Sequence, residues 1–177
     1  EFPAVFGGDV GFVSDARPTR ESFSVYGQTT LALSDSARLI TGLRYTDDEV
    51  NSEVANFFID TPDIIETSSD AVTGRVAVEY DVSSDSMFYA SFTRGFKPGG
   101  SNLTYGNNDD GSPALVLPAY EDETINAYEA GFKTDLMDGR MRMNLAAFFY
   151  DYENMQFQAT DPDPFQGGVA NIPATEV

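Results

Sequence analysis

Six segments of the chain alternate between apolar and polar residues with a period of two. That period is typical of β-strands, because apolar residues on a helix recur about every 3.6 residues instead. In one of the segments Met143, Leu145 and Phe149 share a face, while Arg142 and Asn144 lie on the other. The predicted strands are 21–33, 38–46, 71–81, 86–96, 124–135 and 140–152, and a seventh is expected around 174–177.

The connections between these segments alternate in length. Short polar turns at 34–37, 83–85 and 137–139 join the strands in pairs, and Asp138-Gly139 is a strong tight-turn signal because glycine tolerates positive φ. Polar stretches of roughly 20 to 28 residues separate the pairs. The order strand, tight turn, strand, long loop therefore occurs three times. A propeller blade is not indicated, since a blade carries four strands.

The long connections all fall on one side of the predicted sheet, which is the pattern of an outer-membrane barrel. Hydrocarbon cannot hydrogen-bond a peptide group, so membrane strands pair along their length and loops leave the bilayer. Aromatic residues near both strand ends suit interfacial belts: Tyr80 and Phe88 at one end, and Tyr45, Phe96, Phe149 and Tyr150 at the other. We therefore predict an all-β fold, an antiparallel transmembrane β-barrel segment of six or seven meander strands that forms an incomplete barrel. A soluble antiparallel sandwich shows a similar alternation and remains the alternative.

Composition excludes several functional classes. The 177 residues include no His, Cys or Trp, so thiolate or imidazole metal sites and the usual nucleophile–base pairs cannot form. The net charge of -19 argues against nucleic acid, and 18 of the excess acids lie in the three stretches 46–70, 98–123 and 151–177. No stretch has the spacing of an EF-hand loop. We predict no enzyme activity, no metal and no cofactor.

Four motifs resemble those of one family in order and spacing. They are the segments 87–102 (MFYASFTRGFKPGGSN), 128–140 (YEAGFKTDLMDGR) and 144–152 (NLAAFFYDY), preceded by 26–28 (YGQ) with 41–46 (TGLRYT). Each motif alone is only a patterned strand, but together they are similar to the barrel wall of TonB-dependent receptors. The resemblance covers about residues 20 to 177.

The resemblance implies a function. Family members have a barrel of roughly 22 strands closed by an N-terminal plug. They lie in the outer membrane of Gram-negative bacteria and take up scarce ligands such as ferric siderophores. The inner-membrane TonB–ExbB–ExbD machinery supplies the energy. Residues 1–177 are expected to be part of such a barrel domain, with the plug absent and with outer-membrane lipid and lipopolysaccharide as neighbours. A passive porin-like or structural barrel, and a soluble Ca²⁺- or carbohydrate-binding β-domain, are the alternatives.

Ligand-contact candidates lie in the long connections and at the ends of strands. Rim or lumen-side cations could meet an anionic ligand or the plug, although pairing with lumen acids such as Glu79 and Glu129 is the simpler interpretation. Aromatic residues in the loops are the other candidates. The residues predicted to contact ligand are Phe57, Phe58, Arg94, Phe96, Lys97, Tyr105 and Tyr120.

Overall fold

The chain folds as an open antiparallel sheet with two small hairpin sheets beside it. The computed structural model describes residues 14–56, 63–102, 104–107, 113–116, 119–159 and 168–176. Eleven strands lie in these ranges: β1 Ser14–Ala32, β2 Ala37–Asn56, β3 Asp63–Ser83, β4 Ser86–Lys97, β5 Gly100–Ser101, β6 Thr104–Asn107, β7 Pro113–Val116, β8 Ala119–Tyr120, β9 Glu123–Leu136, β10 Met141–Ala159 and β11 Gly168–Glu176.

The main sheet has seven strands in the order β1-β2-β3-β4-β9-β10-β11. Every neighbouring pair is antiparallel, and strands that follow one another around the sheet are also neighbours in the chain once the excursion β5–β8 is set aside. This meander is the connectivity of an outer-membrane barrel wall. The first and last strands do not pair with each other, so the wall is open. The predicted fold class is confirmed.

The acidic stretches contain more strand than the sequence indicated. β2 continues to Asn56 and β3 begins at Asp63, so most of the predicted loop 46–70 is a paired hairpin in which Val54 lies opposite Asp63. The seventh strand begins at Gly168, earlier than expected. Backbone hydrogen bonds hold these extensions, and polar residues on both faces leave no hydrophobic alternation to detect. The expected long loops are therefore wrong for 46–70 and too long for 151–177.

One face of the sheet is apolar and open. Large apolar side chains such as Leu43, Leu145 and Phe23 remain 69%, 67% and 63% exposed. The register aligns this face across strands, with Leu39 opposite both Leu31 and Val78. Among residues whose burial is described, only Val54 and Ala77 are buried apolar residues. A soluble sandwich of this size would bury one apolar face in a core, and the described residues form none.

Aromatic side chains mark the upper limit of the apolar face, at the end away from the tight turns. Five strands carry one aromatic residue there. Moving away from the tight turns, the following residue on the same face is polar or charged in each strand: Glu21 above Phe23, Asp47 above Tyr45, Arg94 above Phe92, Asn126 above Tyr128 and Asp151 above Phe149. Cross-strand contacts join Phe92 to Tyr128 at 5.1 Å and Tyr128 to Phe149 at 6.2 Å between ring centroids. Such a girdle suits a membrane interface.

Tyr150 does not belong to that girdle. It pairs with Ala127, stacks on Phe148 at 5.0 Å and lies on the opposite face from Phe149. Its predicted place in the belt is wrong, because neighbouring residues of a strand point to opposite faces.

The other face of the sheet is polar and carries paired charges. Arg38 donates to Glu79 at 3.1 Å and to Asp81 at 2.6 Å, and Arg142 donates to Asp135 at 2.6 Å. The simpler interpretation in the sequence paired Glu79 with a cation among Arg44, Arg75, Arg94 and Lys97, but its described ion pair is with Arg38 instead. No helix in the described part of the chain is long and apolar enough to span a membrane.

Candidate functional site

The chain leaves the wall after Lys97 and folds back over its polar face. Pro98 cannot donate to the β-ladder, which makes it a natural point of departure. Gly100 and Ser101 then pair with Tyr120 and Ala119, so the outgoing and returning segments run side by side. We call residues 97–102 and 119–123 together the strap. Beyond it β6 and β7 form a separate hairpin.

Two glycines allow the two segments of the strap to approach closely. A Cβ at Gly99 would collide with the carbonyl oxygen of Tyr120, and a Cβ at Gly100 would lie 2.5 Å from the Tyr120 hydroxyl. Any larger residue would push the outgoing segment away from the returning one. The Pro98-Gly99-Gly100 sequence therefore serves close backbone packing.

Side-chain amides tie the strap to β10 and β11. Asn102 donates to the carbonyl of Val169 at 2.6 Å and accepts from its N–H at 2.7 Å. Asn171 binds Glu121 in the same way: its side-chain oxygen accepts from the Glu121 N–H at 2.7 Å, and its side-chain nitrogen donates to the Glu121 carbonyl at 3.0 Å. Gln156 donates to the carbonyls of Pro98 and Glu121, each at 3.0 Å.

Asp122 ties the opposite side of the strap to β3. One of its carboxylate oxygens accepts from the Ser69 hydroxyl and from the Gly99 N–H, both at 2.6 Å. The strap is thus held from both sides across the polar face.

A cavity of about 460 Å³ lies between the strap and the wall. Its wall side consists of polar-face positions of β1, β2 and β3, including Arg20, Asp48, Val50 and Thr67, and its other side includes Tyr120. The Asp48 side chain is 2% exposed and accepts from Arg20 Nε at 2.8 Å, whereas Arg20 is 57% exposed. This carboxylate raises the pKa of Arg20, so the guanidinium keeps its charge. The volume lies within the range of small-molecule sites.

Of the predicted ligand residues, Lys97 and Tyr120 lie on the strap and border this cavity. No ion pair of the Lys97 ammonium is found within the described part of the chain. Both border the cavity on the polar side, and their contact with a ligand stays a prediction.

Arg94 and Phe96 are placed differently. They pair with Asn126 and Thr124, and strand alternation puts them on the same side of β4 as Phe92. Arg94 donates to Asn126 at 3.2 Å in the first polar row above the aromatic girdle. Of the rim and lumen-side positions predicted for Arg94, the register supports the rim.

The remaining candidates are not brought to this site by any described contact. Tyr105 lies in β6, in the hairpin beyond the strap. Phe57 and Phe58 lie outside the described residues. Within the described ranges, no group of three or more acidic side chains is arranged to hold a metal ion.

Sequence reasoning missed Asn102, Asp122, Gln156 and Asn171. Asn102 closes the motif 87–102, but isolated amides in polar stretches give no periodic signal. Their partners lie up to 67 residues away in the chain.

Comparison with known proteins gives the same architecture. The chain is 30% identical over 132 residues to the metal-pseudopaline receptor CntO of Pseudomonas aeruginosa strain PAO1, covering 72% of this chain and 17% of that receptor. It is 24% identical over 140 residues to the pesticin receptor of Yersinia enterocolitica, covering 78% of this chain and 20% of that protein. The chain thus spans about a fifth of the length of these relatives.

Solved structures share the fold. The ferric yersiniabactin uptake receptor FyuA from Yersinia pestis superposes with a TM-score of 0.66 at 22% identity, covering 81% of this chain and 22% of that one. The ferric-catecholate import receptor Fiu from E. coli K12 gives 0.63 at 16% identity, covering 91% and 24%. Residues 2–177 match the family described as TonB dependent receptor-like, beta-barrel. The chain therefore belongs to this family, and its meander, two-faced wall and aromatic girdle agree with that membership.

Proposed function

We propose that this chain forms part of the barrel wall of an outer-membrane receptor that takes up a scarce ligand, such as a ferric siderophore, with energy from TonB. The observation that carries the proposal is the pairing of an unshielded apolar face with a charged polar face across one continuous sheet. An apolar face of this extent needs lipid around it. A polar face lined by ion pairs suits a water-filled or plugged interior.

The ligand class rests on the relatives. The names of similar proteins describe receptors for metal-pseudopaline, ferric yersiniabactin and ferric catecholates. Chelates of this kind are polar, so they fit the polar side of the wall better than the lipid side. In this proposal the receptor binds and transports its ligand and performs no chemistry on it. The plug and the TonB contact belong to parts of the receptor other than residues 1–177.

Uptake by cells tests the proposal. A strain lacking the receptor, and the same strain carrying it, would be supplied with radioactive iron bound to yersiniabactin or to a catecholate, one at a time, in the presence and absence of TonB. We expect uptake of one chelate to require both the receptor and TonB. Uptake that persists without TonB would instead identify a passive barrel. Recovery of the complete protein in the soluble fraction would overturn the membrane location.

Lys97 and Arg94 make a matched pair for locating the ligand side. Lys97 borders the cavity on the polar face, whereas Arg94 lies on the outward side of the same strand. We expect Lys97→Gln to weaken binding of an anionic chelate roughly tenfold, as loss of a hydrogen bond to a charged group does, and Arg94→Gln to leave it unchanged. Equal effects of both substitutions would show that strand alternation does not decide ligand contact here.

A further inference from the structure

We propose that the strap is a fixed element of the ligand route, positioned by Asn102, Gln156 and Asn171, and not a hinged lid that closes over the ligand. This inference rests on the proposed uptake function for its consequence, but the rigidity of the strap is a separate property. Rigidity can be measured without knowing the ligand.

The first argument is the kind of hydrogen bond that holds the strap. Asn102 and Asn171 each use the oxygen and the nitrogen of one amide on the N–H and the carbonyl of a single distant residue. In a β-ladder the N–H and the carbonyl of a residue are likewise both hydrogen-bonded to the neighbouring strand. Each side-chain amide therefore takes the place of a strand that is not present beside that residue. A strap that swung away would lose both bonds at each point. Such paired bonds fix position and orientation together.

The second argument is that the anchors surround the strap. Asn171 also donates to the carbonyl of Asn154 at 2.7 Å, which fixes its own side chain against β10. Asn154 has a φ of 53°, a left-handed conformation that few residue types adopt readily. On the other side Ser69 and Gly99 share the Asp122 carboxylate. A lid that swings about a hinge must be unattached along one side. The described hydrogen bonds attach the strap to β10 and β11 on one side and to β3 on the other.

The third argument is steric. A Cβ at Gly168 would lie 2.8 Å from Cγ of Asn102, so glycine is the residue that lets this amide reach the β11 backbone. Gly168 thus leaves room for the Asn102 side chain at the point where its amide bonds to the backbone of Val169. It follows that residues bordering the cavity on the strap side, such as Tyr120, hold their positions before ligand arrives.

A disulfide tests whether the strap moves during uptake. The chain has no cysteine, and Asn102 Cγ lies 2.8 Å from an ideal Cβ at Gly168, so cysteines at these two positions would lie close together. Asn102→Cys with Gly168→Cys would be introduced into the complete receptor and oxidised in outer membranes. Ala90→Cys with Ala130→Cys joins directly paired residues of the wall and serves as the control.

The expected result is cross-linking at the strap as complete as in the wall control, with uptake of the iron chelate equal before and after reduction. Gln156, Asn171 and Asp122 still anchor the strap when Asn102 is replaced, so absence of the strap cross-link, while the control forms, would overturn the inference. So would a cross-linked receptor whose uptake returns only on reduction, because that behaviour defines a moving lid. If the wild type takes up none of the chelates, the proposed function fails, and the cross-linking yield still decides whether the strap is fixed.

Hydrogen–deuterium exchange of the backbone N–H groups in the strap provides a second measurement. Asn171→Asp keeps an acceptor for the Glu121 N–H but turns a carboxylate oxygen toward the carbonyls of Glu121 and Asn154. Asn144→Asp adds the same charge to the polar face. Among the described contacts, the Asn144 side chain makes no hydrogen bond to the strap. We expect exchange in 119–123 to become at least tenfold faster in the first variant and to stay unchanged in the second. Equal exchange in both variants would show that Asn171 does not hold the strap.

Discussion

Gly131 offers the sharpest test of how the wall is built, because Tyr89 lies across it. A Cβ at Gly131 would collide with the Tyr89 ring. The ring is also fixed at two other points, since its hydroxyl donates to Glu129 at 2.5 Å and the Lys133 ammonium lies 4.9 Å from its centroid. Glu129, Gly131 and Lys133 share the polar face of β9, so Tyr89 spans a site made of three alternate residues. Gly131→Ala would force the ring out of this site.

The size of the effect follows from the contacts that the ring would lose. A hydrogen bond to a charged group contributes about 1.5–3 kcal/mol, and a partly exposed cation–π contact about 0.5–1 kcal/mol. Replacing glycine by alanine in a strand returns roughly 0.5–1 kcal/mol of backbone entropy. We therefore expect Gly131→Ala to lower the free energy of unfolding by about 1–3 kcal/mol.

A double-mutant cycle isolates the ring from the glycine. The complete receptor would be refolded in lipid vesicles, and its folded fraction followed across a urea gradient by its mobility on unheated gels. In a Tyr89→Ala background the same Gly131→Ala change meets no ring, so it should be neutral or slightly stabilising. Gly27→Ala is the matched control, because nothing lies within 4 Å of a Cβ at Gly27. A loss of stability that is equal with and without the Tyr89 ring would refute the reasoning.

Three further predictions use the same urea assay. Gly74→Ala should cost about 1–3 kcal/mol, because its Cβ would lie 2.6 Å from the Gly42 carbonyl oxygen, and a neutral result would show that the β2–β3 pairing adjusts easily. Arg38→Gln should be more destabilising than Arg142→Gln, since Arg38 is 34% exposed and binds two acids, whereas Arg142 is 72% exposed and binds one; the reverse order would contradict this. Met137→Gly should stabilise the turn by up to about 1 kcal/mol, because Met137 has a φ of 55°, and a loss of stability would mean that its side chain contributes packing that outweighs the strain.

The sequence predicted the parts of the fold that depend on alternation. The apolar face was identified from alternation, for example Met143, Leu145 and Phe149 on β10, because successive residues of a strand point to opposite faces. The turn at Asp138-Gly139 was identified because positive φ leaves a residue signature, and both residues have it, at 57° and 80°. These features are local, so a single sequence carries them.

The extensions of β2 and β3 beyond the membrane were not predictable in this way. Above Tyr45 most residues of these strands are polar, as in the pair Asp47 and Asp70, and the few apolar ones, such as Val50 and Val54, do not alternate with a period of two, so the segment resembles a loop. The strap was missed for a related reason. Its geometry depends on amides such as Asn102 and Asn171 meeting backbone groups far away in the chain, and such meetings follow from the finished wall.

The family resemblance and the candidate site therefore overlap only in the motif 87–102. The Tyr89–Gly131 contact accounts for the residues Glu129-Ala130-Gly131-Phe132-Lys133: the odd positions hold the ring on the polar face, while Phe132 contacts Phe88 at 4.7 Å on the apolar face. That motif is a requirement of the wall, so it identifies the architecture and carries no information about ligand. Lys97 and Asn102 lie inside the motif 87–102, whereas Tyr120, Gln156 and Asn171 lie outside all four motifs. If receptors of this family differ in ligand while sharing the wall, the differences should concentrate in residues such as these last three, because neither strand alternation nor a family motif determines them.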